Sequence, residues 1–112
     1  MKKIEAIIRP AKVGDVCAAL DQAGHPGIMV TEIEGHGKQK GIEQQVRGKT
    51  YKVGLMTKAR IEIVARDDDV ESMVKVIKMA AFTGEVGDGK IFIYPVLDAV
   101  RIRTAERGDI AV

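Results

Sequence analysis

The sequence predicts an α+β fold made of two β–α–β halves joined by a long loop. Three observations support this prediction: strand-like alternation of apolar residues, helical spacing of apolar residues in two other segments, and a long central stretch with neither pattern. The 112 residues are 46% hydrophobic and 30% charged, which is typical of one compact domain. We therefore expect a single domain over residues 1–112.

The first half reads as strand, helix, strand. The segment "KKIEAIIR" alternates apolar with other residues and ends at Pro10, which cannot donate a backbone hydrogen bond to a sheet. Apolar residues then recur at helical spacing over residues 13–20, until Gly24 and Pro26 stop the helix. The segment "GIMVTEIEG" is rich in β-branched residues and predicts a second strand that closes at Gly35.

The second half repeats this order. "ARIEIVA" predicts a third strand, and the aspartate run that opens "DDDVESMVKVIKMAA" suits a helix N-terminus. The apolar stripe of this helix contains Val70, Met73, Val74, Ile77 and Ala81. "TGEVGDG" breaks the helix, and "KIFIYPV" predicts a fourth strand. "AVRIRT" predicts a short fifth strand before a polar tail.

Two halves of this kind predict a ferredoxin-like sandwich, in which both helices cover one face of the sheet. The opposite face would still carry apolar residues, because Ile7 and Val64 alternate away from the helix-covered side. Uncovered apolar surface commonly marks self-association. We therefore expect a homo-oligomer.

The stretch between the halves, "GHGKQKGIEQQVRGKTYKVGLMT", has no sustained period and is predicted to be a loop. Structureless loops of this length are uncommon in compact domains unless they carry a function. We therefore assign residues 37–57 to a functional loop.

The glycine-rich segment after the second helix matches most of a nucleotide-binding pattern. Gly84 to Lys90 fit the first seven positions of G-x-x-x-x-G-K-S/T, but Ile91 stands where the pattern needs a hydroxyl. The segment also follows a helix and precedes a strand, which is the reverse of that loop's context. Two interpretations stay open: a helix-terminating turn, or a nest of backbone amides that holds an anion beside Lys90.

Two further segments suit anions. The cluster "GHGKQKG" places Lys38 and Lys40 among glycines, which permit close approach to a phosphate. Arg101 and Arg103 stand two apart on the predicted fifth strand, so both guanidinium groups would leave one face and suit a polyphosphate. Exposed charges on an edge strand are the alternative. Together the three segments make phosphate binding as plausible as these structural roles.

The sequence favours binding over catalysis. It has no Ser-His-Asp order and no His-rich metal spacing, and His25 and His36 fit turn and loop positions. Cys17 is the only cysteine, so no disulfide framework exists, and its spacing fits a small core residue. No apolar run approaches the roughly 20 residues of a membrane-spanning helix. The net charge of +2 and the 4% aromatic content do not indicate nucleic-acid binding.

Four segments together resemble the P-II nitrogen-regulatory signal protein family: "MKKIEAIIRP", "GHGKQKG", "TGEVGDGKIFIYPV" and "AVRIRTAERG". The resemblance covers essentially the whole chain. The family's C-terminal signature is met by Thr83, Gly87, Asp88, Gly89, Lys90, Ile91, Phe92, Ile93 and Val96.

The resemblance implies a homotrimer that binds ATP or ADP in clefts between subunits. The phosphates would lie in the turn at residues 82–90, reached by arginines of the C-terminal segment at residues 97–112, and Ile7 and Val64 would line the adenine. The implied nucleotide contacts are Ile7, Met29, Gly35, Gly37, Lys38, Gln39, Val64, Gly87, Asp88, Gly89, Lys90, Arg101 and Arg103.

The resemblance also implies 2-oxoglutarate as a second ligand, with Mg²⁺ held by ATP oxygens, Gln39 and 2-oxoglutarate. The implied 2-oxoglutarate contacts are Gly37, Gln39, Lys40, Gly41 and Lys58. No hydroxyl is then needed at Ile91, because the metal lies elsewhere. The ligands would select between two states of the loop at residues 37–57, which would dock onto an ammonium-transport channel or a nitrogen-assimilation enzyme.

The loop departs from the family pattern Y-K/R-G-A/S-A/E-Y. This chain has "VRGKTY", so Val46 replaces the first tyrosine and Tyr51 is retained. Tyr51 aligns with a residue that is uridylylated in some members, and it is either a modification site or a residue that anchors the loop or contacts a partner. Met29 stands where threonine is common near the adenine.

Two other function classes compete with a regulator. An NTP-using enzyme would need an acidic magnesium ligand near the phosphates, for which the glycine turn offers Asp88. An RNA-binding module of this fold would need aromatic-rich central strands, which "ARIEIVA" and "KIFIYP" do not supply. We therefore expect a cytoplasmic regulatory protein, either a reader of 2-oxoglutarate or an adenine-nucleotide sensor with another effector.

Overall fold

The computed structural model describes residues 1–36, 42–46, 49–53 and 55–112, with side chains for residues 1–35 and 56–112. The strands are β1 (Lys2–Ile8), β2 (Met29–His36), β3 (Ile42–Val46), β4 (Lys49–Val53), β5 (Leu55–Ala65) and β6 (Lys90–Pro95). The α-helices are α1 (Val13–Gln22) and α2 (Asp67–Ala81), and short 3-10 helices occupy Pro10–Lys12 and Gly108–Ala111. Both predicted helices and the first four predicted strands are confirmed.

Four strands form one antiparallel sheet in the order β2-β5-β1-β6. The two strands of each half are not neighbours: β5 lies between β1 and β2, and β1 lies between β5 and β6. This is the ferredoxin-like arrangement that the sequence predicts.

The core lies between the helices and one face of the sheet. Its buried residues are Ile4, Ala6, Ile8, Val16, Leu20, Ala59, Ile61, Ile63, Ala65, Val70, Met73, Ile77 and Ala81. The even-numbered residues of β1 and the odd-numbered residues of β5 therefore point at α1 and α2. Cys17, predicted as a small core residue, is only half-buried and lies outside this cluster.

The prediction of a structureless loop over residues 37–57 is wrong for part of that stretch. β3 and β4 pair as an antiparallel hairpin, with Ile42 opposite Val53 and Gln44 opposite Tyr51, and β5 already begins at Leu55. Charged and polar residues interrupt the apolar alternation here, yet the β-branched and aromatic residues favour extended backbone. Two strands can pair through their backbones even when neither shows the apolar alternation that is typical of a half-buried strand.

The predicted fifth strand, residues 99–104, is also wrong. Only Val100 forms a bridge, to Arg107, and the chain turns between them. The Ala105 N–H donates to the Arg101 carbonyl over 2.8 Å, and Ala105 itself has a φ of 61°. The short alternation of "AVRIRT" was therefore misread, because side-chain and backbone bonds close this segment on itself.

Within the described ranges, no helix is long and apolar enough to cross a bilayer.

Candidate anion-binding site

The predicted site residues on the four strands of the sheet share one face, the face opposite the helices. Ile7 on β1 and both Lys58 and Val64 on β5 alternate with buried core residues, so they point to this open face. The register extends the face to Met29 on β2 and Lys90 on β6. The predicted residues placed here are Ile7, Met29, Gly35, Lys58, Val64 and Lys90.

These residues fall into two groups along the open face. Lys90 lies opposite Ile7, whereas Val64 lies opposite Lys3, four residues earlier on β1. Four residues of strand span about 13 Å. Met29 lies between the two groups, since it pairs with Glu62, which lies opposite Glu5. One ligand would have to be extended to contact both groups.

The glycine turn has a backbone that only glycine adopts readily. Gly84, Gly87 and Gly89 have φ values of 88°, 105° and 100°. A Cβ on Gly89 would lie 1.7 Å from the Ile7 carbonyl oxygen, so the turn packs directly against the backbone of β1. A turn that places Asp88 between two glycines at positive φ has a backbone suited to an anion nest. Both interpretations of the turn are therefore compatible with one structure.

The Asp88 carboxylate holds the turn together. It accepts hydrogen bonds from the Thr83 N–H over 2.8 Å, the Gly84 N–H over 2.9 Å, and the Thr83 hydroxyl. Arg9 Nε adds an ion pair at 3.2 Å. The hydrogen bonds from Thr83, with smaller contributions from Gly84 and Arg9, hold the Asp88 pKa well below its usual range. These contacts occupy both oxygens, so contact with a phosphate would come from the Asp88 backbone.

Two cations hold carbonyl oxygens of the same turn. Arg9 Nη2 donates to the Val86 carbonyl and Lys58 Nζ donates to the Gly87 carbonyl, each over 2.7 Å. Burial lowers the Lys58 pKa, the neighbouring Arg9 lowers it further, and Asp88 partly offsets both effects. Sequence reasoning missed Arg9. Its position at the end of β1, two residues after Ile7, is the signal that could have found it.

The C-terminal arginines do not reach this turn within one chain. β6 runs from Lys90 at the turn to Pro95 beside Lys2, and the Val96 N–H donates to the Met1 carbonyl over 3.1 Å. Residues 97–112 therefore begin at the other end of β1, about 17 Å away along the strand.

Residues within the C-terminal segment already engage one arginine. Arg101 donates to Glu106 Oε1 over 2.8 Å and to the Ile110 carbonyl over 3.0 Å, whereas Arg103 is exposed. Arg101 and Arg103 do not lie on a strand, so their spacing does not place both guanidinium groups on one face.

An open pocket of about 270 Å³ lies at the Val64 end of the sheet. The turn at residues 24–27, the end of β5, and Val112 line it, together with Asp69 and Met73 of α2. His25, predicted as a turn residue, is part of this lining. Ile63, Ala65 and the α2 residues in this lining belong to the helix-covered side of the sheet, so the pocket is not a concavity of the open face.

Several predicted contacts lie outside the described residues: Gly37, Lys38, Gln39, Lys40 and Gly41. Gln39 is the predicted Mg²⁺ ligand, so the predicted metal contact is among them. Tyr51 is described only as backbone, opposite Gln44 in the hairpin.

The fold and the site define a class: a small ferredoxin-like protein with a glycine-lined, cation-held turn at one end of its open face. Comparison with known proteins agrees with this class. The family model described as "Nitrogen regulatory protein P-II" matches residues 1–106. The chain belongs to the P-II nitrogen regulatory protein family.

Similar proteins match over the full length. Nitrogen regulatory protein P-II 2 of Methanothermobacter thermautotrophicus is 51% identical over 112 residues, covering 100% of this chain and 97% of that protein. Nitrogen regulatory protein P-II of Cereibacter sphaeroides is 52% identical over 112 residues and covers 100% of both. The structure of Arabidopsis thaliana PII bound to citrate superposes with a TM-score of 0.80 at 40% identity, covering 99% of this chain and 91% of that chain. Relatives of this kind are named as regulatory proteins rather than enzymes.

Proposed function

We propose that this chain is a cytoplasmic P-II signal protein that binds ATP or ADP on the open face and regulates partner proteins through residues 37–57. The observation that carries the proposal is the glycine turn, whose glycines have positive φ and which leads into Lys90 on the face that also holds Ile7 and Val64. Amide nests of this kind bind phosphates. With the phosphates at the turn, the adenine would lie toward Val64, whereas Ile7, the other predicted adenine contact, lies beside the turn.

The nucleotide site would be completed by a second copy of the chain. Arg101 and Arg103 lie at the opposite end of β1 from the glycine turn, so only another subunit brings them to the phosphates. Apolar side chains on this part of the chain support such an assembly. Leu97 is 98% exposed and Ile102 is 99% exposed, and Phe92 and Ile93 are exposed on the edge strand β6. The proposed assembly is the homotrimer implied by the family resemblance.

The second ligand would be 2-oxoglutarate, bound near Lys58 with ATP-held Mg²⁺ and Gln39. Lys58 and Arg9 put two positive charges at one end of the open face, where a dicarboxylate is favoured. Arabidopsis thaliana PII, a relative in structure, was solved bound to citrate, which is also a polycarboxylate. Nucleotide and 2-oxoglutarate together would then set the state of residues 37–57, and through it contact with an ammonium-transport channel or a nitrogen-assimilation enzyme.

Calorimetry tests this proposal. Purified protein is titrated with ATP and with ADP, with and without Mg²⁺, and then with 2-oxoglutarate in each condition, while light scattering gives the subunit number. We expect a trimer that binds both nucleotides, and 2-oxoglutarate binding that requires ATP and Mg²⁺ and is lost in Gln39→Ala.

The remaining outcomes are distinct. ATP binding without 2-oxoglutarate binding would identify an adenine-nucleotide sensor with another effector. Absence of binding by either nucleotide would overturn the proposal, and so would ATP turnover at metabolic rates, which would indicate an enzyme.

A further inference from the structure

We propose that Arg9 and Lys58 act as positioning residues that orient the amides of the glycine turn for an anion. We call these two side chains, with the carbonyls of Val86 and Gly87 that they hold, the carbonyl clasp. The inference rests on the proposed nucleotide function and deepens it, because it assigns a role to Arg9 and a second role to Lys58.

The first step of the argument is peptide geometry. A trans peptide directs its C=O and the following N–H to opposite sides. Arg9 fixes the Val86 carbonyl and Lys58 fixes the Gly87 carbonyl, each with a 2.7 Å hydrogen bond. The N–H groups of Gly87 and Asp88 must therefore point away from the two cations.

The second step concerns what those amides contact. The amides of Thr83, Gly84 and Glu85 are used inside the turn, by Asp88 and the Thr83 hydroxyl. Among the described residues, no acceptor receives the N–H of Gly87 or Asp88. The turn thus divides into a part that closes itself and a part whose amides face outward, where an anion would bind.

The third step is electrostatic. Arg9 follows Ile8, the last residue of β1, and Lys58 precedes Ala59, which pairs with Ile8, so the two cations are neighbours and each lowers the cost of placing an anion at the turn. Their mutual repulsion is partly offset by Asp88, which pairs with Arg9 at 3.2 Å. A neutral side chain at either position would leave the carbonyl without its charged donor, and the peptide plane could rotate at Gly87.

The test compares Arg9→Met and Lys58→Met with wild type, using ADP, AMP and adenosine as probes in calorimetry. If the clasp orients phosphate-binding amides, each variant weakens ADP by about tenfold, since charge-assisted hydrogen bonds are the strong ones. AMP is weakened less and adenosine is unchanged. Arg9→Lys, which keeps the charge and one donor, recovers part of the ADP affinity. Lys75→Met, which removes an exposed charge on α2, is the control for general electrostatics and binds ADP as wild type does.

A second measurement needs no nucleotide. Hydrogen exchange at Thr83 and Gly84, whose amides donate to Asp88, becomes faster in Arg9→Met than in wild type or Lys75→Met. ADP affinity equal to wild type in both clasp variants would overturn the clasp while leaving nucleotide binding intact. An equal loss for adenosine and ADP would also overturn it, because that indicates general misfolding. Wild-type protein that binds no nucleotide would overturn the proposed function instead.

Discussion

The glycine turn, residues 83–90, and the C-terminal segment, residues 97–112, are both irregular, and the sequence marks both for anions. They are built in different ways. The turn is closed by Asp88, held by two cations, and packed against the backbone of β1. The C-terminal segment is closed by bonds such as Arg107 to Asp98 at 2.6 Å, yet leaves large apolar side chains outside.

The two regions therefore differ in how far a single chain organises them. The turn is closed and held by side chains of its own chain, so in the proposed site it would need only a ligand. The C-terminal segment has Arg101 bound to Glu106 and has Leu97 and Ile102 almost fully exposed, and in the proposed assembly a second chain would cover it. An irregular segment can therefore be preorganised by its own chain or reserved for an interface, and hydrogen-bond partners distinguish the two cases.

The largest effect should come from Gly89→Ala. The added Cβ would meet the Ile7 carbonyl oxygen at 1.7 Å in a left-handed backbone with φ of 100°. Backbone cannot move aside as a flexible side chain can, so we expect a loss of about 3 kcal/mol in the free energy of unfolding. Urea denaturation measures it.

Gly14→Ala is the matched control for this substitution. Gly14 lies in α1, and nothing lies within 4 Å of a Cβ added there. Alanine is the better helix former, so this variant should be at least as stable as wild type. Equal stability of the two variants would contradict the tight packing of the turn on β1.

The second effect tests whether the two regions meet across subunits. Lys90→Ala should damage the turn half and Arg103→Ala the C-terminal half, each weakening ADP by about tenfold because a charged phosphate contact is lost. When the two variants are unfolded and reassembled together, about a quarter of the interfaces should combine an intact turn with an intact arginine, because the interface is heterologous. Calorimetry should therefore recover a minor class of wild-type sites.

Failure of this recovery has a definite meaning. If the mixed assembly binds no better than either variant alone, the arginines and the turn do not share a cleft between chains. Reassembly of Lys90→Ala with itself is the control, and it should show no tight sites.

The sequence predicts the helices and the sheet strands well, because a buried face requires apolar residues at a regular spacing. Alternation at Ile4, Ala6 and Ile8 and the apolar stripe of α2 are one-face patterns that only a strand or a helix satisfies. The hairpin β3–β4 and residues 99–104 were mispredicted for the opposite reason. Hydrogen bonds determine the backbone in these segments, and they do not require a regular spacing of apolar residues in the sequence.

The site was predicted less completely. Glycines at positions 84, 87 and 89 indicate a special backbone, and the structure places them at positive φ. The clasp could not be predicted, because Arg9 and the turn are 77 residues or more apart and meet only through the register of β1 and β6. The predicted roles in nucleotide and 2-oxoglutarate binding stay predictions, and five of those residues lie outside the described ranges.

The third effect is a pH dependence confined to the turn. The Asp88 pKa is lower in the folded chain than its ordinary value of 3.8, so the folded state binds fewer protons. The stability that Asp88 contributes is therefore present above about pH 4 and is lost as the pH falls through the lower folded pKa. Asp88→Asn should be less stable than wild type at neutral pH, and the difference should narrow steadily below about pH 4. Thermal unfolding at several pH values measures this difference, and a constant gap would contradict the role of the carboxylate.

The smallest effect concerns the C-terminal half alone. Glu106 Oε1 accepts from both Arg101 Nη1, over 2.8 Å, and the Thr104 hydroxyl, over 2.7 Å, and these hydrogen bonds help lower the Glu106 pKa. In the proposed site, a phosphate would have to compete with this carboxylate for Arg101. Glu106→Gln keeps the side-chain shape and weakens the competition, so ADP should bind about threefold more tightly, which is the scale of one exposed ion pair.

Thr104→Val separates this competition from simple loosening of the segment. It removes the other hydrogen bond to Glu106 and leaves the charge that holds Arg101. ADP affinity in Thr104→Val should stay at the wild-type value. Weaker ADP binding in Glu106→Gln would instead mean that Glu106 presents Arg101 to the ligand. The C-terminal half would then be as preorganised as the glycine turn, and the contrast between the two regions would fail at this residue.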